Sequence, residues 1–185
     1  MKRIGWIVLS AVVYFSCNQQ QQVNDNGNLR KALPDSTDVL NASVELMLND
    51  YYAAKIGFVE QNDSLIIKAA RQLMAKADSL PVNLLQGDSL LVNNVIVLKE
   101  SFSAELKGLA EEKDREEMKR DFNSVTEQLL DFLKAIRYKR TAVWYFYCEQ
   151  TFNNAGAGWL DSSHKIINPY SSSSQPLCGI VKDSL

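Results

Sequence analysis

The chain has 185 residues, 46% of them hydrophobic, with 20 Lys and Arg against 22 Asp and Glu for a net charge of −2. That is enough sequence for one domain with a real core. The mildly acidic balance argues against a nucleic-acid partner, which needs clustered cations to displace counterions.

Residues 1–16 read as a signal peptide. Lys2 and Arg3 precede the apolar run from Ile4 to Phe15, which has the length of a secretory h-region and is too short to span a bilayer. The run ends at Ser16-Cys17 and turns polar at Asn18-Gln19-Gln20-Gln21-Gln22. A small residue followed by cysteine resembles the bacterial lipobox, although Tyr14 stands where an aliphatic residue is usual. The resemblance implies cleavage before Cys17 and acylation of its thiol, so that membrane lipid becomes the first partner. Asn18, where inner-membrane retention would place an aspartate, and the lack of an acidic signal over 18–22 point to the periplasmic face of the outer membrane. Cleavage leaves 169 residues with a net charge of −4.

Residues 17–36 are a polar, aperiodic stretch with little to bury, the composition of a flexible tether. From Ser36 the pattern becomes helical. Leu40, Val44, Met47, Tyr51 and Phe58 form one stripe, with Asp35, Ser36 or Thr37 as cap. A second helix opens at Asp63-Ser64, carries Leu65 or Ile66, Ala69, Leu73, Ala77 and Leu80, and stops before Pro81. A third begins near Asp88-Ser89 with Leu91, Val95, Leu98, Phe102, Leu106 and Leu109. The fourth carries Met118, Phe122, Val125, Leu129, Phe132 and Ile136 beside a wet face of Glu116, Glu117, Lys119, Arg120, Asp121 and Glu127. Its cationic end, Arg137-Tyr138-Lys139-Arg140, suits the negative end of a helix dipole. The expectation is an all-α fold, an antiparallel four-helix bundle over 37–140. His164 is the only histidine and lies outside these helices, so the bundle lacks the Glu-x-x-His pairs of a di-iron core.

Residues 141–185 form a Cys-containing tail. Ala142 to Cys148 is aromatic and β-prone, and Asn153 to Gly158 reads as a loop. The aromatic density predicts an irregular or β-hairpin tail packed on the bundle. A Cys148–His164 nucleophile pair lacks an oxyanion motif and an orienting group. The glycines of 153–158 follow no βα pattern. These absences predict a non-catalytic protein.

A tyrosine-rich strand ending in Cys148 is followed by Gly156-x-x-Trp159-Leu160, by Ile166-x-Asn168-Pro169-Tyr170 and by Cys178-Gly179. With Tyr51-Tyr52 and Arg120-x-Phe122, this order resembles an uncharacterised helical domain of Gram-negative envelope lipoproteins. That domain is also found fused to periplasmic adaptor subunits of heavy-metal efflux systems. The resemblance spans about Leu40 to Val181. It implies structural roles for Trp159, Asn168, Pro169, Tyr170 and Gly179, metal efflux components as partners, and copper or another soft metal as cofactor. The chain departs at the family's donors. Tyr147 replaces a histidine, Glu149-Gln150 replaces Pro-Met, and Gln175 replaces a methionine.

What remains of a metal site is Cys148, Cys178 and the weaker candidate His164, a poor cage for a tightly held ion. The competing account takes Cys17 as lipidated and leaves two cysteines in an oxidising compartment. A Cys148–Cys178 disulfide would then staple the second half of the tail to its first strand. Metal ligation, disulfide and free thiols all stay open at this point.

Overall fold

The computed structural model describes residues 36–171 and 178–185. The expected leader, Cys17, the tether as far as residue 35, and Gln175 lie outside the described residues. The chain is mostly helical, with a small three-stranded antiparallel sheet towards its C-terminal end. Four long helices come first: α1 Ser36–Val59, α2 Asp63–Asp78, α3 Ser89–Glu111 and α4 Arg115–Ala135. One turn of 3-10 helix, Val82–Leu84, lies between α2 and α3. Among the described residues no helix is long and apolar enough to cross a membrane.

The hydrophobic stripes face inward. All five stripe residues of α1 and all six of the fourth stripe are buried, and Ile66, not Leu65, occupies the core position of α2. Leu91 and Leu98 are only partly covered. Consecutive helices pack on one another. The helix starts are fixed by side chains that satisfy otherwise orphaned N–H groups. Asn62 accepts from the Leu65 N–H at 3.0 Å, Asp88 from Leu91 at 2.8 Å, and Asp114 from Glu116 at 2.9 Å and Glu117 at 3.1 Å. α2 thus opens at Asp63 as expected, with Asn62 as its cap.

The fourth helix ends earlier than its cationic cluster suggests. Arg137 takes a left-handed φ of 54°, and the Tyr138 N–H returns to the Leu133 carbonyl at 3.0 Å. This is the six-to-one closure of a Schellman cap with arginine in place of the usual glycine. The reversal drops Tyr138 into the core, where its hydroxyl shares a 2.9 Å hydrogen bond with Thr141. Of these cations Arg140 pairs with Glu45 of α1, and Lys134, in the last turn of α4, pairs with Asp183 at 2.7 Å.

The tail forms β1 Trp144–Cys148, β2 Ala157–Asp161 and β3 Ile180–Ser184 in the order β2-β1-β3. The expected hairpin is β1–β2, and the chain end adds a third strand on the other side of β1. The β1–β3 register slips between Tyr145 and Phe146, leaving Lys182 as a bulge. Phe146 lies opposite Trp159 in the β1–β2 ladder, and their rings stack at 5.5 Å and 10°. β2 lies against both α1 and α4. Those two helices meet beside it through side chains, Tyr51 stacking on Phe122 at 5.1 Å and Phe58 lying 4.8 Å from the same ring.

Candidate functional site

β2 is an edge strand, with no strand on its outer side among the described residues, and all five of its residues are buried. Its outward N–H and C=O groups therefore need partners that are not strands. The helices and the tail supply them. Asn123 of α4 accepts from the Gly158 N–H at 2.9 Å, and Tyr51 of α1 accepts from the Leu160 N–H at 3.0 Å. The Tyr170 hydroxyl donates to the Gly158 carbonyl at 2.6 Å.

Tyr51 continues the chain inward. Its hydroxyl lies 2.7 Å from Thr126 Oγ1, and Thr126 donates onward to the Phe122 carbonyl at 2.9 Å. Because Thr126 spends its proton on the carbonyl, Tyr51 must donate to Thr126, and every member of the chain is satisfied. Burial pushes the Tyr51 and Tyr170 phenols well above the ordinary range, so both stay neutral hydrogen-bonding groups.

One turn along α1, Lys55 forms an ion pair with Asp161 at the end of β2, and both side chains are almost fully enclosed. Asp161 also accepts from the Ser163 N–H at 3.1 Å, which orients the carboxylate. The Tyr52 hydroxyl is buried and has no hydrogen-bond partner among the described residues. Its phenol is pushed up first by burial and then by the Asp161 charge. Sequence reasoning missed Lys55, Asn123, Thr126 and Asp161. Lys55 left a signal, since it sits four residues after Tyr51 on the buried side of α1, where a lysine needs a counterion.

The motif residues come together next to this network. Asn168 donates from Nδ2 to the Cys178 carbonyl at 2.9 Å and accepts from the Tyr170 N–H at 2.8 Å. Pro169 is buried between them. Trp159 is fully buried, and a Cβ on Gly179 would lie 2.6 Å from its ring, so only glycine lets the chain pass there. Gly158 is bound in the same way: a Cβ would lie 2.4 Å from the Tyr145 ring. The Tyr145 hydroxyl donates to Glu127 at 2.7 Å.

Cys148 and Cys178 are joined in a disulfide with a Cα–Cα separation of 5.4 Å. It closes a 30-residue separation and fastens the approach to β3 onto the end of β1. Cys148 is buried and Cys178 partly so, and both line a cleft of about 230 Å³. The cleft lies between the first turns of α4 and the helical turn Thr151–Asn154 that follows β1. In that turn Phe152, Asn153 and Asn154 have φ of 52°, 58° and 69°. A left-handed conformation costs a non-glycine residue about 1–2 kcal/mol, and asparagine bears it better than phenylalanine. Phe152 is held there by Arg120, 4.8 Å over its ring, and by Tyr170 edge-on at 5.5 Å.

His164 is not part of this cluster. It is exposed on the loop after β2, with its ring 3.5 Å from that of Trp144. Trp144 opens β1 and Cys148 closes it, about 13 Å apart at the rise of an extended strand. The imidazole therefore stands at the far end of the strand from the sulfurs. Sulfurs bonded to each other are not thiolates, the form that binds metal. Among the described residues no group of three His, Cys, Asp or Glu side chains is placed to hold a metal ion. The chain matches no family model, and neither a curated protein nor a solved structure is significantly similar to it.

Proposed function

We propose that this chain is an exported, lipid-anchored envelope domain that acts as a non-catalytic structural or interaction module. Its helices form an antiparallel four-helix bundle, its tail docks on them through β2, and the disulfide locks the tail to itself by tying the approach to β3 to the end of β1. The observation that carries the proposal is the Cys148–Cys178 bond. Such bonds persist in oxidising compartments, which agrees with the leader and Cys17. Further support comes from the polar atoms of Asn168 and Tyr170, which are spent on the tail's own backbone and not turned towards a substrate.

Two measurements test it. Protein recovered from the envelope without reductant should resist thiol alkylation at Cys148 and Cys178 until it is reduced. Labelling of either cysteine beforehand would overturn the disulfide-locked module. Incorporation of labelled fatty acid should vanish in Cys17→Ala, and retention of the label in that variant would overturn the anchor.

A second function stays open because both sulfurs line one cleft, so reduction would present two thiols to the same opening. A soft metal such as copper could then be held and handed to metal efflux components, the role the family resemblance implies. That role requires the reduced state and a donor other than His164. Titration of reduced protein with Cu(I) decides it, and failure to bind at micromolar concentration removes it.

A further inference from the structure

The cleft beside the disulfide holds about 230 Å³. At about 30 Å³ per water that is the room of seven or eight water molecules, enough for an amino acid or a monosaccharide. Two cations line it. Lys119 is committed to Glu116 at 2.7 Å. Arg120 has a looser ion pair, its Nε standing 3.6 Å from Glu117 and beyond hydrogen-bond reach, and its guanidinium lies over the Phe152 ring. The ring fixes the plane of the guanidinium, and among the described residues its N–H groups make no hydrogen bond. Gln150, Thr151, Asn153 and Ser171 also line the cleft, and among the described residues none of these side chains has a hydrogen-bond partner. Gln150 and Thr151 lead directly into the left-handed residues Phe152, Asn153 and Asn154, of which Asn153 lines the cleft, and strain of this kind gathers at ligand sites.

We infer that the cleft binds a small polar anion through a carboxylate or phosphate seated on Arg120. Gln150, Thr151 and Asn153 take the remaining polar atoms. An oxyanion fits because the planar fork of arginine matches two oxygens at once. Glu116 on the same wall is taken up by Lys119, and the loose Glu117 pair makes no hydrogen bond to Arg120, so its guanidinium donors are the groups an entering oxyanion would meet. The inference goes beyond the module proposed above and needs the intact disulfide but neither export nor lipid. It can therefore fail while that proposal stands.

The test is a ¹H–¹⁵N NMR titration of the purified chain, disulfide intact, with inorganic phosphate and separately with glutamate at millimolar concentration. Saturable shifts confined to Arg120 and residues 150–153 support the inference. Arg120→Gln should weaken binding about tenfold or more, the loss of a charge-assisted hydrogen bond. Asn153→Asp keeps a residue that tolerates the left-handed turn, brings a carboxylate into the cleft, and should abolish binding. Arg120→Lys separates the sources: it should spare phosphate, which accepts a point charge, and weaken glutamate, which needs the fork. No saturable shift with either probe overturns the inference. So do shifts of equal size in Arg120→Gln and Asn153→Asp, provided both variants keep the wild-type spectrum elsewhere.

Discussion

The Lys55–Asp161 pair offers a sharp test of how the tail is held. Both side chains are enclosed, at 4% and 7% exposure, so neither charge is shared with water. Asp161→Asn keeps the shape of the side chain and leaves its oxygen to accept from the Ser163 N–H, but it removes the charge facing Lys55. A buried cation left without its counterion costs about 3–5 kcal/mol. A chain of this size is stable by about 5–15 kcal/mol, so that loss is a large share of the whole. At about 2–4 °C per kcal/mol the melting temperature should drop by about 10 °C. Lys55→Met added to Asp161→Asn removes the stranded charge and should restore stability to within about 1.5 kcal/mol of the wild type. Urea denaturation followed by circular dichroism at neutral pH, disulfide intact, measures all three chains. A cost below about 1 kcal/mol for Asp161→Asn alone is what an exposed pair would show. That result, or a double variant no more stable than the single one, would refute the idea of a desolvated pair.

Three further outcomes are expected. Replacing Cys148 and Cys178 by alanine should lower stability by about 3.5 kcal/mol on the chain-entropy model, read from urea midpoints against the oxidised wild type. Tyr51→Phe leaves the buried Leu160 N–H without an acceptor and should cost about 1–3 kcal/mol, with faster amide exchange at Leu160 as the local signature. The phenols of Tyr51, Tyr52, Tyr145 and Tyr170 are all raised by burial above their ordinary value of 10.0. The stability this lends is whole below pH 10, where the unfolded phenols are also neutral. It falls as pH rises past 10, because only the unfolded chain then loses protons. Urea midpoints measured from pH 9 upward should decline, and the absorbance of tyrosinate should appear together with unfolding.

The helices were legible because their signal is local. A stripe such as Met118, Phe122, Val125, Leu129 and Phe132 recurs within one element, and burial on one face is all it has to report. The ends of the helices were less so. Arg137 in the left-handed region has no sequence mark, because the fold tolerates a non-glycine cap there for the sake of burying Tyr138. The tail was legible in its residues and not in its topology. Its aromatic and β-prone run gave β1, but β3 carries the polar sequence Lys182-Asp183-Ser184 and is mostly exposed, so no alternation announced it. The cysteines could be paired on paper but not decided, since a thiolate site and a disulfide call for the same two residues. The buried network was the least visible part, because Lys55 and Asp161 are 106 residues apart and each reads as a surface charge until the other is beside it.

That separation also explains why the tail and the helices form one unit. Tyr51, Lys55, Asn123 and Thr126 turn polar atoms towards the α1–α4 side where β2 lies, and without β2 those atoms would face a poor mixture of apolar surface and water. β2 has the reciprocal need, since as an edge strand it carries N–H groups that no neighbouring strand can take. Each surface supplies what the other lacks: Gly158 and Leu160 give donors, Asn123 and Tyr51 accept them, and Asp161 meets Lys55. Apolar packing alone would let a five-residue strand slide along the groove at little cost. Two directed hydrogen bonds and an enclosed ion pair fix one register. The disulfide then holds the approach to β3 against β1, whose position is already set. The polar groups on the buried side of α1 are therefore the address at which the tail docks, and their cost in desolvation is the reason the docking is specific.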